Sequence, residues 1–161
     1  GPDGISSEAL YWGCNSLFVH LSLIFNLFLK FSYLPNKFMQ SVIIPLVKNK
    51  SGNLSDMNNY RAIAVSSVLS KAFETLLFKY IQSISKYDDF QFGFKPGHST
   101  SLCTHVLKHT IDYYRNNGSH VFTCFVDFSK AFDSVNYWKL FMKLLDDNIN
   151  KKIVKILAFL L

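Results

Sequence analysis

The chain has 161 residues, enough for about one domain with a real core. Its 49% hydrophobic and 16% aromatic content excludes a disordered or low-complexity chain. A net charge of +6 without any dense Lys/Arg run suits a polyanionic partner or an anionic membrane surface, and equally an ordinary basic protein.

The opening Gly1-Pro2-Asp3-Gly4-Ile5-Ser6 reads as a turn that caps a first helix near residues 6–14. A second helix is expected over 15–31, with Pro35 as a stop signal. The stretch 17–34 is the one membrane candidate. His20, Ser22, Asn26 and Lys30 interrupt it well short of the ~20 apolar residues needed to span, so a buried amphipathic helix is expected and no membrane association.

Ser41 to Val47 reads as a strand, with Pro45 placing it at an edge or bulge. The Asn-rich loop Lys48–Asn59 and a second strand, Tyr60 to Val65, complete a long-tipped hairpin. Val68, Leu69, Ala72, Phe73, Leu76, Leu77, Tyr80, Ile81 and Ile84 follow helical spacing behind a Ser66 or Ser67 cap. A loop from Lys86 to His98 follows. Ser99 or Thr100 then caps a helix to about Asn117, which Gly118 ends.

Val121-Phe122-Thr123-Cys124-Phe125-Val126 is apolar, β-branched and aromatic, and is expected to be a strand buried on both faces. It delivers one carboxylate, Asp127. Such a group needs compensation, from a metal ion, a helix N-cap or an ion pair. Helices near 135–146 and 149–161 complete a mixed α/β (α+β) pattern with more helix than strand. Cys14, Cys103 and Cys124 form no zinc or disulfide spacing and read as buried small hydrophobes in a reducing compartment. The start on Gly1 and the end in mid-pattern give the expectation that both ends are cut and the chain is a fragment. No signal peptide is recognisable.

Five segments occur in order: Gly1-Pro2-Asp3-Gly4-Ile5; Ile44-Pro45-Leu46-Val47-Lys48; Asn59-Tyr60-Arg61-Ala62-Ile63; Phe90-Gln91-Phe92-Gly93-Phe94 with Ser99-Thr100; and Phe125 to Val135. Together they resemble the N-terminal half of a non-LTR retrotransposon reverse transcriptase. The resemblance implies a right-hand polymerase with fingers over residues 1–118 and the beginning of the palm over 119–161. It implies RNA-directed DNA synthesis by two-metal nucleotidyl transfer, with two Mg²⁺ ions, an RNA template, a DNA primer and dNTPs.

Residue by residue, the resemblance makes Asp127 the first catalytic carboxylate and a metal ligand, with the main-chain carbonyl of Phe128 a second ligand. Phe132 falls where an aromatic packs under the sugar and selects deoxynucleotides; on its own it would read as a core ring. Lys48 and Arg61 match basic residues that reach the triphosphate. The chain departs from the pattern at Ala62, where proline is usual, which loosens the backbone beside Arg61. Gln91 and the Phe92-Gly93-Phe94 turn match a segment beneath template and nucleotide, Gly93 permitting close approach or positive φ and Lys95 with His98 supplying nearby charge. Asp133 is expected to cap the following helix, and Tyr113, Tyr114 and Arg115 are stacking candidates or a helix face.

The resemblance also implies a later pair of adjacent Asp residues on a strand turn, and a thumb. Asp146-Asp147 closes a helix and is not that pair. Residues 1–161 alone are therefore expected not to polymerise, the rest of palm and thumb belonging to the same polypeptide. The competing reading is a decayed relic kept as a basic nucleic-acid-binding module. An intracellular, nuclear site of action follows from target-primed integration in such elements, though no localisation signal is visible.

Overall fold

The structure is a computed structural model that describes residues 1, 3–85, 87–128 and 131–161. Pro2 of the opening segment, Lys86 of the central loop, and Ser129 and Lys130 of the Asp127 segment lie outside the described residues.

The chain divides into two compact units, residues 1–84 with 137–161, and residues 85–136. In the first, α1 (Ser7–Tyr11) is capped by Ser6, whose Oγ accepts from the Ala9 N–H. The helix α2 (Asn15–Phe31) ends as Ser32 turns left-handed at φ 49°, sending the Tyr33 N–H back to the Phe28 carbonyl. A one-turn helix, α3 (Asn36–Met39), follows Pro35. Four residues are too few to show a period, so sequence pattern missed it. Strands β1 (Ser41–Val47) and β2 (Tyr60–Ser66) pair antiparallel. They lead to α4 (Val68–Ile84), where Ser67 Oγ accepts from the Ser70 N–H.

Helices α6 (Tyr137–Asp146) and α7 (Lys151–Leu160) belong to the same unit. Asp146 and Asp147 stand at the end of α6, with Asp147 paired to Lys143 at 3.8 Å, and Asn148 turns left-handed at φ 63°. That is a helix terminus, as the spacing predicts.

The core lies where α2, α4 and α7 meet. Phe25, Leu34, Phe73, Leu77, Ile149, Ile153, Val154 and Ile156 are buried there. Phe73 is its centre: its ring lies 5.0 Å from Phe25, 5.6 Å from Phe28 and 5.9 Å from Phe38. Buried Ser70 is satisfied through its N–H and through its hydroxyl, which donates to Glu74 at 3.1 Å. Among the described residues, no helix is long and apolar enough to cross a membrane.

In the second unit, α5 (Thr100–Asn116) is capped by Ser99, whose Oγ accepts from Leu102 N–H at 3.2 Å. Gly118 ends it at φ 76°.

Three expectations fail here. Residues 121–126 form no strand; Phe122 is 95% exposed, and Phe125 and Val126 are exposed too. A strand is held by ladder bonds to neighbours, and among the described residues β1 and β2 pair only with each other. The cysteines are all exposed, not buried, because none lies on a core-facing position of its element. Asp133 does not sit at the N-cap position, since it lies in the turn 131–134 and α6 begins only at Tyr137.

Candidate functional site

The hairpin carries the two predicted phosphate-binding cations. Arg61 lies opposite Leu46 in the register, and Lys48 continues the ladder by one pair, its N–H donating to the Asn59 carbonyl at 2.7 Å. Residues directly opposite share a face, as do residues two apart on one strand. The pleat therefore puts Lys48 and Arg61 on the same face of the hairpin. Both side chains are exposed. Pro45 stands opposite Ala62, in a pair that alternates with the hydrogen-bonded pairs 48–59, 46–61 and 44–63. Its missing N–H thus costs no ladder bond, and a proline sits within a strand without breaking it.

The loop between the strands is ordered by its own side chains. Asp56 Oδ1 accepts from the Asn58 N–H at 2.9 Å, and Asn53 Oδ1 from the Ser55 N–H at 2.9 Å. Tyr60 OH donates to the Leu54 carbonyl at 2.9 Å. Lys48 Nζ donates to the Asn58 carbonyl at 2.8 Å. The Asn and Asp residues that mark this loop in the sequence are what order it, since their side chains bond backbone two residues on.

The other predicted residues lie in the second unit. Gln91 is exposed, its Nε2 donating to the Gly93 carbonyl at 3.0 Å, so it braces its own turn. Gly93 does not use the freedom expected of it. A side chain there would meet nothing within 4 Å, and the positive φ belongs to Phe94, at 56°. Lys95 Nζ donates to the Asp88 carbonyl at 3.1 Å, and the ring of His98 lies 5.8 Å from that of Phe92. Tyr113 and Tyr114 are exposed at the end of α5 and meet edge to face at 5.3 Å.

Asp127 and Phe128 are exposed on the irregular segment that follows α5. Asp127 has no hydrogen-bond or ion-pair partner among the described residues. Phe132 is 75% exposed and meets Phe94 edge to face at 6.2 Å. The donor chemistry of Asp127 and the Phe128 carbonyl is hard oxygen, which suits a divalent cation of the magnesium class. Their number does not complete a coordination sphere. No group of three His, Cys, Asp or Glu able to hold a metal ion occurs among the described residues.

An apolar cleft of about 910 Å³ between α2 and α4 is lined by residues such as Phe18, Phe25, Leu76 and Tyr80. A smaller one of about 310 Å³, at the end of α5, includes Arg115, Ser119 and His120. Neither is lined by Lys48, Arg61, Gln91, Asp127, Phe128 or Phe132, and the smaller one includes the stacking candidate Arg115.

A family model described as "Reverse transcriptase (RNA-dependent DNA polymerase)" matches residues 47–160. The chain is 31% identical over 122 residues to the "Probable RNA-directed DNA polymerase from transposon BS" of Drosophila melanogaster, covering 73% of this chain and 13% of that protein. It is 27% identical over 139 residues to the "RNA-directed DNA polymerase from mobile element jockey" of Drosophila funebris, covering 84% and 15%. It is 26% identical over 149 residues to the "Retrovirus-related Pol polyprotein from type-1 retrotransposable element R1" of Bradysia coprophila, covering 89% and 14%. The matched stretches thus amount to 13–15% of the length of these curated relatives.

Proposed function

The chain belongs to the reverse transcriptase (RNA-dependent DNA polymerase) family, and from that premise we propose that it is the fingers and the opening of the palm of a non-LTR retroelement polymerase. In this reading residues 1–118 serve as fingers and 119–161 begin the palm. The polymerase copies an RNA template from a DNA primer with dNTPs as substrates. The observation that carries the reading is the extent of the family match: Lys48, Arg61, Gln91, Asp127, Phe128 and Phe132 all fall within residues 47–160.

The roles follow from the chemistry of each group. Arg61 presents a planar fork that suits two phosphate oxygens, and Lys48 a compact charge for the leaving pyrophosphate. Their common face on the hairpin lets one triphosphate meet both. Asp127 and the Phe128 carbonyl would hold a divalent ion, proposed as Mg²⁺. Bound ions of that kind stabilise charge on the attacking 3′-oxygen, the phosphorus and the departing pyrophosphate. The unpartnered carboxylate of Asp127 supports this role, since no neighbour among the described residues must be displaced. Further carboxylates are proposed to come from later palm sequence of the same polypeptide. Phe132 presents a flat ring that would clash with a 2′-hydroxyl.

The test is primer extension on an RNA template by the full-length polypeptide. Asp127→Asn is expected to abolish extension while RNA binding by filter retention persists, and the 161-residue chain alone is expected to give no product. Near-normal turnover by the Asn variant refutes the assignment.

A further inference from the structure

The tip of the hairpin is tied together by one amide. Asn59 Oδ1 accepts from the Asn49 N–H at 2.9 Å. Its Nδ2 donates to the Asn49 carbonyl at 2.8 Å and to the Asn53 carbonyl at 3.2 Å. Its main-chain carbonyl accepts from Lys48 N–H at 2.7 Å. One residue therefore grips both ends of the 49–59 loop and a point between them. The amide's orientation follows from its partners: flipped, it would set its oxygen against two carbonyls and its NH₂ against an N–H.

The residue before it, Asn58, offers the carbonyl that receives the Lys48 ammonium at 2.8 Å. Lysine is a charge on a flexible four-carbon stem, and its usefulness to a ligand depends on how far its position is restricted beforehand. Here the restriction is a backbone carbonyl, in the peptide unit that joins Asn58 to Asn59, and Asp56 Oδ1 also accepts from the Asn58 N–H at 2.9 Å.

We propose that Asn59 is a positioning residue for nucleotide binding: its amide locks the hairpin tip so that the Asn58 carbonyl holds the Lys48 ammonium on the face shared with Arg61, ready for an incoming triphosphate. The inference rests on the triphosphate role proposed above for Lys48 and Arg61. Only asparagine satisfies the set. Aspartate keeps the acceptor for the Asn49 N–H but turns a carboxylate toward two carbonyls. Alanine removes all three side-chain bonds, and glutamine adds a methylene to a closed ring of contacts.

The experiment is a two-residue cycle in the full-length polymerase, with the KM for dNTP and kcat measured in primer extension. Lys48→Ala, Asn59→Ala and Asn59→Asp are each expected to raise the KM roughly tenfold, the scale of coupling between residues in one network, and to lower kcat as well, since Lys48 also meets the leaving pyrophosphate. In the Lys48→Ala background, Asn59→Ala is expected to raise the KM no further. A merely structural role would give independent effects that multiply, and that result overturns the proposal. An unchanged KM in Asn59→Ala beside a raised one in Lys48→Ala also overturns it, while leaving the triphosphate reading standing. An unchanged KM in both Lys48→Ala and Arg61→Ala removes the triphosphate reading itself, and the proposal with it.

A measurement on the 161-residue chain needs no turnover. The Asn49 amide, bonded to Asn59 Oδ1, is expected to resist hydrogen exchange in the parent and to exchange freely in Asn59→Ala. Protection that survives the substitution refutes the lock.

Discussion

Phe73→Ala should come close to unfolding the first unit. The ring is 1% exposed and touches three others, Phe25, Phe28 and Phe38, on α2 and α3. Truncating a buried phenylalanine costs about 3–5 kcal/mol. Three aromatic pairs, each worth about 0.5–1.5 kcal/mol beyond their buried area, keep the value at about 4 kcal/mol, above the lower half of that range. The core is small, with eight buried hydrophobic side chains among the described residues, so the unit belongs at the low end of the ~5–15 kcal/mol typical of domains. A loss of about 4 kcal/mol from about 5 leaves ~1 kcal/mol, which means roughly 15% unfolded in water. With a urea slope of about 1–1.5 kcal/mol per molar, the midpoint falls by about 3 M.

The assay is far-UV circular dichroism during a urea titration, since α2, α4 and α7 contribute much of the helical signal. Phe122→Ala is the control. That ring is 95% exposed, and surface changes stay within about 0.5 kcal/mol. A midpoint shift below 0.5 M for Phe73→Ala would refute the view that this ring organises the core.

Two further outcomes follow from exposed groups. Phe132→Ala in the full-length polymerase is expected to increase rNTP incorporation relative to dNTP without lowering the melting temperature, because the ring is exposed and carries no core packing; an unchanged rNTP/dNTP ratio counts against the sugar-gate role. Cys14, at the N-cap of α2, is held below the ordinary thiol value of 9.0 by the backbone N–H groups of Leu17 and Ser16. Its thiolate is thus favoured in the folded chain, and the resulting stability is present above the unfolded value and lost as pH falls through the folded one. In a Cys103→Ser, Cys124→Ser background, the pH midpoint for iodoacetamide alkylation should lie lower in the folded chain than in urea, and coincident midpoints would disprove the cause given.

Much of the fold was legible because helices close their own hydrogen bonds. The apolar spacing from Val68 to Ile84 marks α4 at both ends, and Ser99 and Gly118 bracket α5 as their chemistry requires. The hairpin was legible for a related reason: a proline tolerated at a non-bonded pair and an Asn-rich tip are local signals. Family membership was legible too, since motifs in order survive at 31% identity. The cationic pair was legible as residue types, while the face they share became definite only through the register.

Residues 121–126 show where such reading ends. Their composition is that of a buried strand, yet a strand exists only through paired neighbours, and among the described residues no strand pairs with this segment. The positive φ at Phe94 instead of Gly93 is likewise a property of the whole turn and not of the residue most able to adopt it. Nor does any pattern announce that Asn59 grips Asn49 and Asn53, or that Phe25, Phe28 and Phe38 converge on Phe73. Sequence alone determined the longer helices, the hairpin and the family, because each depends on local bonds or on spacings along the chain. Tertiary structure decided which rings meet, which strand forms and which amide locks the loop, because those depend on partners the chain must first bring together.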